Sequence, residues 1–547
     1  MSERILKYTV SLFYTVFLLL LAYYSFTFKR ADEIIYALFL SSAFFIFSFL
    51  HRKYPGKVYN VFFNVLAASA FVLIVYGFFR SFSNPGLRLT GILGDRVFEA
   101  DAAACIFAFF SAVFFITHGN RTKSAVSGAI VFLSSAYLSL LRVKTAYAAV
   151  ILCILAITVF LFLKSGTDKT KKAGVTARRI ILYLLLLIVS SGVPLISPYN
   201  QPPDRDSISK TVTGAFDFGS STNKARLDFW NASLKMFSEK PFTGIGTGMW
   251  PGTYPKYNGA VYTDGNVDMN SALNPHNDYL RFLSEYGIAG IFYLLLAATG
   301  IALLFRKSFA DISGLPLLLA ALCPAVTSMF NFTYENIFAL LVFVFCLSYA
   351  FNSGKDAKPT KRDFIVLITS VIIISAAVVL MITRFVYERD YEQAIQMKFR
   401  NDYRGALEKL SGINDVIYPA DRNRMPLSYY AGTSYFELKD YGNALRNFDR
   451  ASSLMPYFPA VMSNKASALY KTGHVQEAIT LYRKTAEIFP GFFEPQINLL
   501  AVYANEKMHD EAKKLLTNIG SRITEPEFIK NYIVFLEIKN YYVKNGL

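Results

Sequence analysis

The chain has 547 residues, of which 53% are hydrophobic and only 17% charged, with a formal net charge of +17. Soluble proteins carry roughly 25% charged residues. The balance therefore excludes a disordered chain, a collagen-like fibre and a small disulfide scaffold, and points to an integral membrane protein with a soluble part attached. The Lys and Arg residues sit mostly in short loops between apolar blocks, where they encode topology rather than the clustered basic face of a nucleic-acid binder.

In chain order, apolar blocks run to about residue 384, and an amphipathic sequence follows. Arg4 and Lys7 precede the first block and no small-residue cleavage site follows it, so it reads as a retained span, not a signal peptide. A span needs roughly 20 mostly apolar residues. Eleven blocks qualify: 8–28, 33–50, 59–79, 101–117, 125–141, 146–163, 180–198, 287–305, 314–330, 337–351 and 364–384. They are too long and too continuously apolar for barrel strands, so helices are expected. Cys105, Cys153, Cys323 and Cys346 all fall inside such blocks, where a thiol acts as a small hydrophobe.

One alternate set of loops is strongly basic: Arg4/Lys7, Arg52/Lys53/Lys57, Arg121/Lys123, Lys164 to Arg179, Arg306/Lys307 and Lys355 to Arg362. The other set is poorer: Lys29/Arg30, Arg80 to Arg96, Arg142/Lys144 and the loop 331–336, which has no basic residue. The bias predicts a cytoplasmic N-terminus. With eleven spans, the loop at about 199–286 and the C-terminal region then share the outer face.

That division gives four parts: N-terminal spans 1–198, an outer loop 199–286, C-terminal spans 287–384 and an outer domain 385–547. In the last part Ala444, Ala478 and Ala512 recur every 34 residues, as do Phe448, Tyr482 and Leu516, and Pro456 and Pro490. Small residues let paired helices approach and aromatics fill the groove between them, the pattern of a tetratricopeptide repeat. The copy DYRGALEKL at 402–410 aligns with DYGNALRNF at 440–448. Such an α-solenoid offers a concave face for a protein partner, or it only braces the membrane part.

No HExxH, P-loop, Rossmann fingerprint or metal-spaced cluster is present, and GIGTGMW (244–250) lacks a βαβ context and reads as a turn. Of five histidines, only His276 lies in the outer loop. In NPHNDYLRFLSEYG, Asn274 suits an N-cap and Pro275 the first helical position. His276 is then expected in the first turn, with Leu280, Leu283 and Tyr286 along one side and Gly287 at the end. A helix N-terminus disfavours imidazolium, so the alternatives are a neutral general base and a capping histidine. Arg142 and Lys144, in the very short turn SLLRVKTAY, read either as snorkelling residues or as ligands of an anionic headgroup or phosphate. Arg226 opens RLDFWNASLKMF, an amphipathic helix pattern with Leu227, Trp230, Leu234 and Phe237 on one side. It reads as a solvated arginine or as a bidentate phosphate ligand.

The blocks ARLDFWNASLKMFSEKPFTGIGTGMW and NPHNDYLRFLSEYGIAGIFYLL resemble the shared domain of the O-antigen ligases, the O-antigen polymerases and some bacterial O-oligosaccharyltransferases. The matching positions are Arg226/Trp230, Pro241/Gly244/Gly246, His276/Asn277/Leu280 and Glu285/Gly287. The resemblance covers roughly 125–350, and some members of the family carry C-terminal tetratricopeptide repeats. It implies an all-α polytopic bundle, glycosyltransferase-C-like, in the bacterial cytoplasmic (inner) membrane, with its large loop and C-terminal domain periplasmic.

The implied activity is glycan transfer from undecaprenyl pyrophosphate to a hydroxyl of lipid A core, another glycan or a protein, as in lipopolysaccharide biosynthesis, with neither nucleotide nor metal. The family's functional histidine carries onto His276 and one arginine onto Arg226. The other carries onto Arg142, where Leu141 replaces the usual Ser and Lys144 is an alternative ligand. Asn277 and Glu285 are expected to orient or to fix helices. A polymerase uses the same donor chemistry. A non-catalytic assembly scaffold that recruits a partner through the repeats is the alternative of another class.

Overall fold

The computed structural model describes residues 31–83, 92–93, 95–117, 120–165, 172–196, 221–258, 273–352, 360–421, 423–520 and 529–544. The block 8–28, His118 and the loop stretches 199–220 and 259–272 lie outside the described residues. What is described is helical, with no strand.

The helices in chain order are α1 (Ala31–Lys53), α2 (Pro55–Ser83), α3 (Arg96–Ile116), α4 (Arg121–Leu141), α5 (Lys144–Ser165), α6 (Lys172–Ile196), α7 (Ser221–Glu239) and α8 (Trp250–Thr253). There follow α9 (Asp278–Tyr286), α10 (Ile288–Ala310), α11 (Leu315–Thr327), α12 (Ile337–Asn352) and α13 (Lys361–Phe399). The C-terminal region holds α14 (Tyr403–Ser411), α15 (Leu427–Glu437), α16 (Tyr441–Leu454), α17 (Pro459–Lys471), α18 (Val475–Ile488), α19 (Glu494–Asn505), α20 (His509–Gly520) and α21 (Ile529–Lys544).

Five stretches within these helices are long and apolar enough to cross a membrane: Gly56–Arg80, Arg96–Ile116, Arg121–Leu141, Ile288–Ala310 and Lys361–Phe399. Lys144–Phe160, Ile312–Thr327 and Ile337–Asn352 are shorter apolar helices. The blocks 33–50 and 180–198 fall largely within α1 and α6. The chain is a multi-pass membrane protein.

The centre of the bundle is α3. Every residue from Glu99 to Phe115 is buried, and the helix packs against α4, α5, α11 and α12. Its alanines at 100, 102–104, 108 and 112 explain why: small side chains let neighbouring helices approach where lipid offers no hydrophobic drive. The Asp95 side chain starts the helix by accepting the N–H groups of Val97 (2.6 Å) and Phe98 (3.3 Å).

At that same end a polar lock joins three elements. Asp101 accepts from the Thr333 hydroxyl at 2.9 Å and from Asn331 at 3.5 Å. Asn331 also donates to Thr145 at 2.6 Å, and Asn336 to the Phe98 carbonyl at 2.9 Å. The turn between α11 and α12 is thereby fastened to the starts of α3 and α5. A buried carboxyl inside a bundle persists only when satisfied in this way.

Two features describe how the C-terminal region joins the rest. The boundary at 384 falls inside α13, one helix of 39 residues, about 60 Å long at 1.5 Å per residue. It is started by a reciprocal capping box of Thr360 and Asp363 and carries the membrane part directly into the C-terminal region without a linker. The C-terminal helices α14 to α20 contact one another in chain order, with Ala444, Ala478 and Ala512 each fully buried. They also touch the outer loop: the Tyr457 N–H donates to the Gly252 carbonyl at 3.1 Å. A Cβ at Gly252 would lie 2.5 Å from the Leu454 carbonyl oxygen, so only glycine permits this approach.

Candidate functional site

The segment 273–286 does not start its helix where the sequence pattern suggests. Asn277, not Asn274, is the N-cap of α9, and its Oδ1 accepts the Leu280 N–H at 3.0 Å. Asn274 instead receives the His276 N–H at 3.2 Å. His276 stands just before the helix with φ 51°, in the left-handed region that few residues other than glycine adopt. The reason is local competition. Asp278 is tied at both ends to the turn between α11 and α12: its N–H donates to the Ser328 carbonyl at 2.9 Å, and its carboxylate accepts the Tyr334 N–H at 2.8 Å. The helix starts at that anchor, and His276 is turned out of it.

The imidazole lies between two aromatic rings. Phe229 of α7 stacks on it (6.2 Å, 19° between planes) and Phe332 meets it edge-on at 5.2 Å. Trp230, the next residue of α7, donates from Nε1 to the Pro275 carbonyl at 3.1 Å. Trp230 thus braces the histidine's own segment. The Nδ1 atom of His276 is buried and has no hydrogen-bond partner among the described residues.

Burial, and then the nearby charge of Arg226, hold the His276 pKa down at about 4. At neutral pH the ring is uncharged. An NMR titration of the imidazole in the free protein is expected to find its midpoint near 4, and Arg226→Gln to move that midpoint upward, because a positive neighbour is removed. A midpoint that does not move would separate the two side chains.

Arg226 itself is half-buried, and that burial lowers its own pKa. No carboxylate pairs with it among the described residues. A desolvated guanidinium without a partner is costly, which makes this position suited to an anionic ligand. Arg142 is the left-handed C-cap of α4 (φ 51°), and Lys144 starts α5. This turn is drawn to the same end of the bundle, because Thr145 takes the hydrogen bond of Asn331, the neighbour of Phe332.

Glu285 plays a bracing part. Only 1% exposed, it accepts the Trp250 N–H at 3.2 Å and the Arg281 Nε–H at 3.3 Å. The glycine turn folds onto it: Ile245 and Gly246 donate to the Ser284 and Glu285 carbonyls at 2.9 and 3.1 Å. Gly244 has φ +67°, and a Cβ there would lie 2.2 Å from the Glu285 carbonyl oxygen. Glycine is required at that position on both counts.

The sequence reading missed a row of charges behind the histidine. Arg281 donates to Glu335 at 2.9 Å, and Arg424 of the C-terminal region reaches the same Glu335 oxygen at 3.1 Å. Glu285, Arg281, Glu335 and Arg424 thus connect the glycine turn, α9, the turn before α12 and the C-terminal region. Of the expected apolar side of α9, Tyr286 is buried while Leu280 and Leu283 are half-buried, and the buried face carries Asp278, Arg281 and Glu285 beside Phe282. Burial pushes the Asp278 carboxyl up to about 7. The one visible sequence signal was three charged residues inside a nine-residue amphipathic helix beside a span.

Residues 106–295 match the family model described as O-antigen ligase. The match covers about a third of the chain and includes Arg142, Lys144, Arg226, Trp230, His276, Asn277 and Glu285. It supports an activity of the ligase or polymerase type, acting on glycans. No curated protein matches the chain.

Proposed function

We propose that this chain is a glycosyltransferase of the inner membrane, moving a glycan from undecaprenyl pyrophosphate to an acceptor hydroxyl on the periplasmic side. The carrying observation is a neutral imidazole with an unpartnered nitrogen, lying in the field of a half-buried arginine that forms no ion pair with a carboxylate among the described residues. One group accepts a proton and the other stabilises a departing anion. Pyrophosphate departure needs charge stabilisation more than an acid, and arginine provides it. In this reading Arg226 and Arg142 hold the pyrophosphate, with Lys144 as an alternative ligand. His276 takes the proton of the acceptor hydroxyl as its oxygen attacks the anomeric carbon. The C–O bond to pyrophosphate breaks with its electron pair on the leaving oxygen, and the anomeric configuration inverts.

Donor binding tunes the base. A pyrophosphate beside Arg226 offsets the charge that depresses His276, so the imidazole becomes more basic only with donor in place. The acid limb of kcat, which reports the bound complex, is then expected at higher pH than that of kcat/KM.

The main test uses purified protein, a lipid-pyrophosphate-linked glycan and an acceptor, following glycan transfer and released lipid pyrophosphate. Arg226→Lys keeps the charge but replaces a planar fork with a point charge, and is expected to lose about tenfold or more in kcat/KM. Wild-type rates in Arg226→Lys and Arg226→Ala would remove the pyrophosphate role. Ligase, polymerase and protein glycosylation differ in the acceptor, so the product identifies which one operates. We read the C-terminal helices as tetratricopeptide repeats on the same face, supported by the Tyr457–Gly252 contact.

A further inference from the structure

At the end of α3 opposite His276, a cavity of about 420 Å³ opens between α3, α4 and α6. Its rim is polar, formed by Thr117, Asn120, Arg121, Ser124 and Arg179. Its floor is apolar and small-residue-rich, with Ala125, Gly128 and Ala129 of α4 facing Leu182 and Leu186 of α6. Ala125, Ala129 and Leu182 are exposed, so the floor opens sideways onto the surface that faces lipid.

No carboxylate lines the cavity, and none pairs with Arg121 or Arg179 among the described residues. Arg179 is held in place as it donates to the carbonyls of Phe114 (2.6 Å), Phe115 (3.1 Å) and Thr117 (2.7 Å), closing the end of α3. These bonds engage three of its five N–H groups, and its charge remains at the rim. Arg121 is the exposed first residue of α4, where the backbone N–H groups of the first turn have no intrahelical partner and the helix dipole favours an anion. The larger cavity, lined by α1, α2 and α12, is nearly all apolar, with Lys57 its only cation.

We propose that the smaller cavity is a binding site for one anionic phospholipid. Its phosphate sits between Arg121 and Arg179, and an acyl chain lies over Ala125, Gly128 and Ala129 against Leu182 and Leu186. Two cations without a carboxylate partner among the described residues, above an apolar slot that opens to lipid, match a headgroup continuous with a hydrocarbon chain. A free anion would not use the slot. The site is separate from the proposed transfer chemistry at the other end of α3 and does not depend on it.

The test is native mass spectrometry of the purified full chain, equilibrated with equal amounts of phosphatidylglycerol and phosphatidylcholine. Wild type is expected to retain phosphatidylglycerol preferentially. Arg121→Ala, at an exposed position, is expected to cut that preference about five-fold, the factor equivalent to about 1 kcal/mol per basic side chain at an anionic surface. Ala129→Trp fills the slot and is expected to reduce retention of phosphatidylglycerol with both arginines intact. Equal retention of the two lipids by wild type, or an unchanged preference in Arg121→Ala, overturns the proposal. Displacement of the lipid by millimolar inorganic phosphate also overturns it, because the site would then take a free anion.

Discussion

Replacing His276 with alanine is expected to cut glycan transfer about 10²–10⁴-fold, the usual contribution of a positioned general base, with donor binding retained. The ring stacks on Phe229 and meets Phe332, so its loss also removes packing, and rate alone would not separate base from filler. Chemical rescue does. Added imidazole should restore part of the turnover in His276→Ala, where the space between the two phenylalanines is vacated. It should not do so in His276→Phe, where that space stays filled. Binding of the lipid-pyrophosphate donor, measured directly, should survive in both variants, because Arg226 and Arg142 are intact. Near-normal turnover in His276→Ala would end the base assignment.

Arg281→Ala is expected to cause the largest loss of stability. Its side chain is 6% exposed and lies between Glu285 at 1% and Glu335 at 29%. Removing the cation leaves Glu285 without a side-chain cation and Glu335 with Arg424 alone. Breaking a buried pair from one side costs about 3–5 kcal/mol. Arg424→Ala, which removes a more exposed partner of the same Glu335, should cost about 1 kcal/mol or less. Glu335→Gln keeps an acceptor for Arg281 and should fall between the two. Thermal unfolding of the purified variants in one detergent gives the order. If Arg281→Ala melts with wild type, the charge row is not what fastens the glycine turn to α9.

The same row explains how the C-terminal region bears on the site. Arg424 reaches Glu335, which is four residues from Asn331 of the polar lock and three from Phe332 against His276. A displacement of the C-terminal helices would therefore be felt at the turn that positions the imidazole.

Much of this protein was legible in the amino-acid order because it is local. A membrane span announces itself by length and apolarity, since lipid satisfies no backbone group. Glycine at 244 and 287 marks backbone that other residues resist, and both are at positive φ. The choice of His276, Arg226 and Trp230 rested on a motif confined to two short segments, and α7 does bring Phe229 and Trp230 onto the histidine's segment. What sequence by itself determined was therefore the helical, multi-pass class, and it put forward candidates for the chemistry.

The tertiary structure decided what those residues touch. Asn274 has the better N-cap context by local rules, yet Asn277 takes the role because Asp278 is anchored to Ser328 and Tyr334. Glu285 was expected to orient or to fix helices, and only the packing shows what it touches: it accepts the Trp250 N–H of the glycine turn. Arg281, Glu335 and Arg424 are 54 and 89 residues apart at successive links, and no periodicity encodes such a pairing. Hydrophobic pattern specifies how deeply a segment is buried. Which buried charges meet depends on how helices distant in the chain pack, and that follows from the whole bundle.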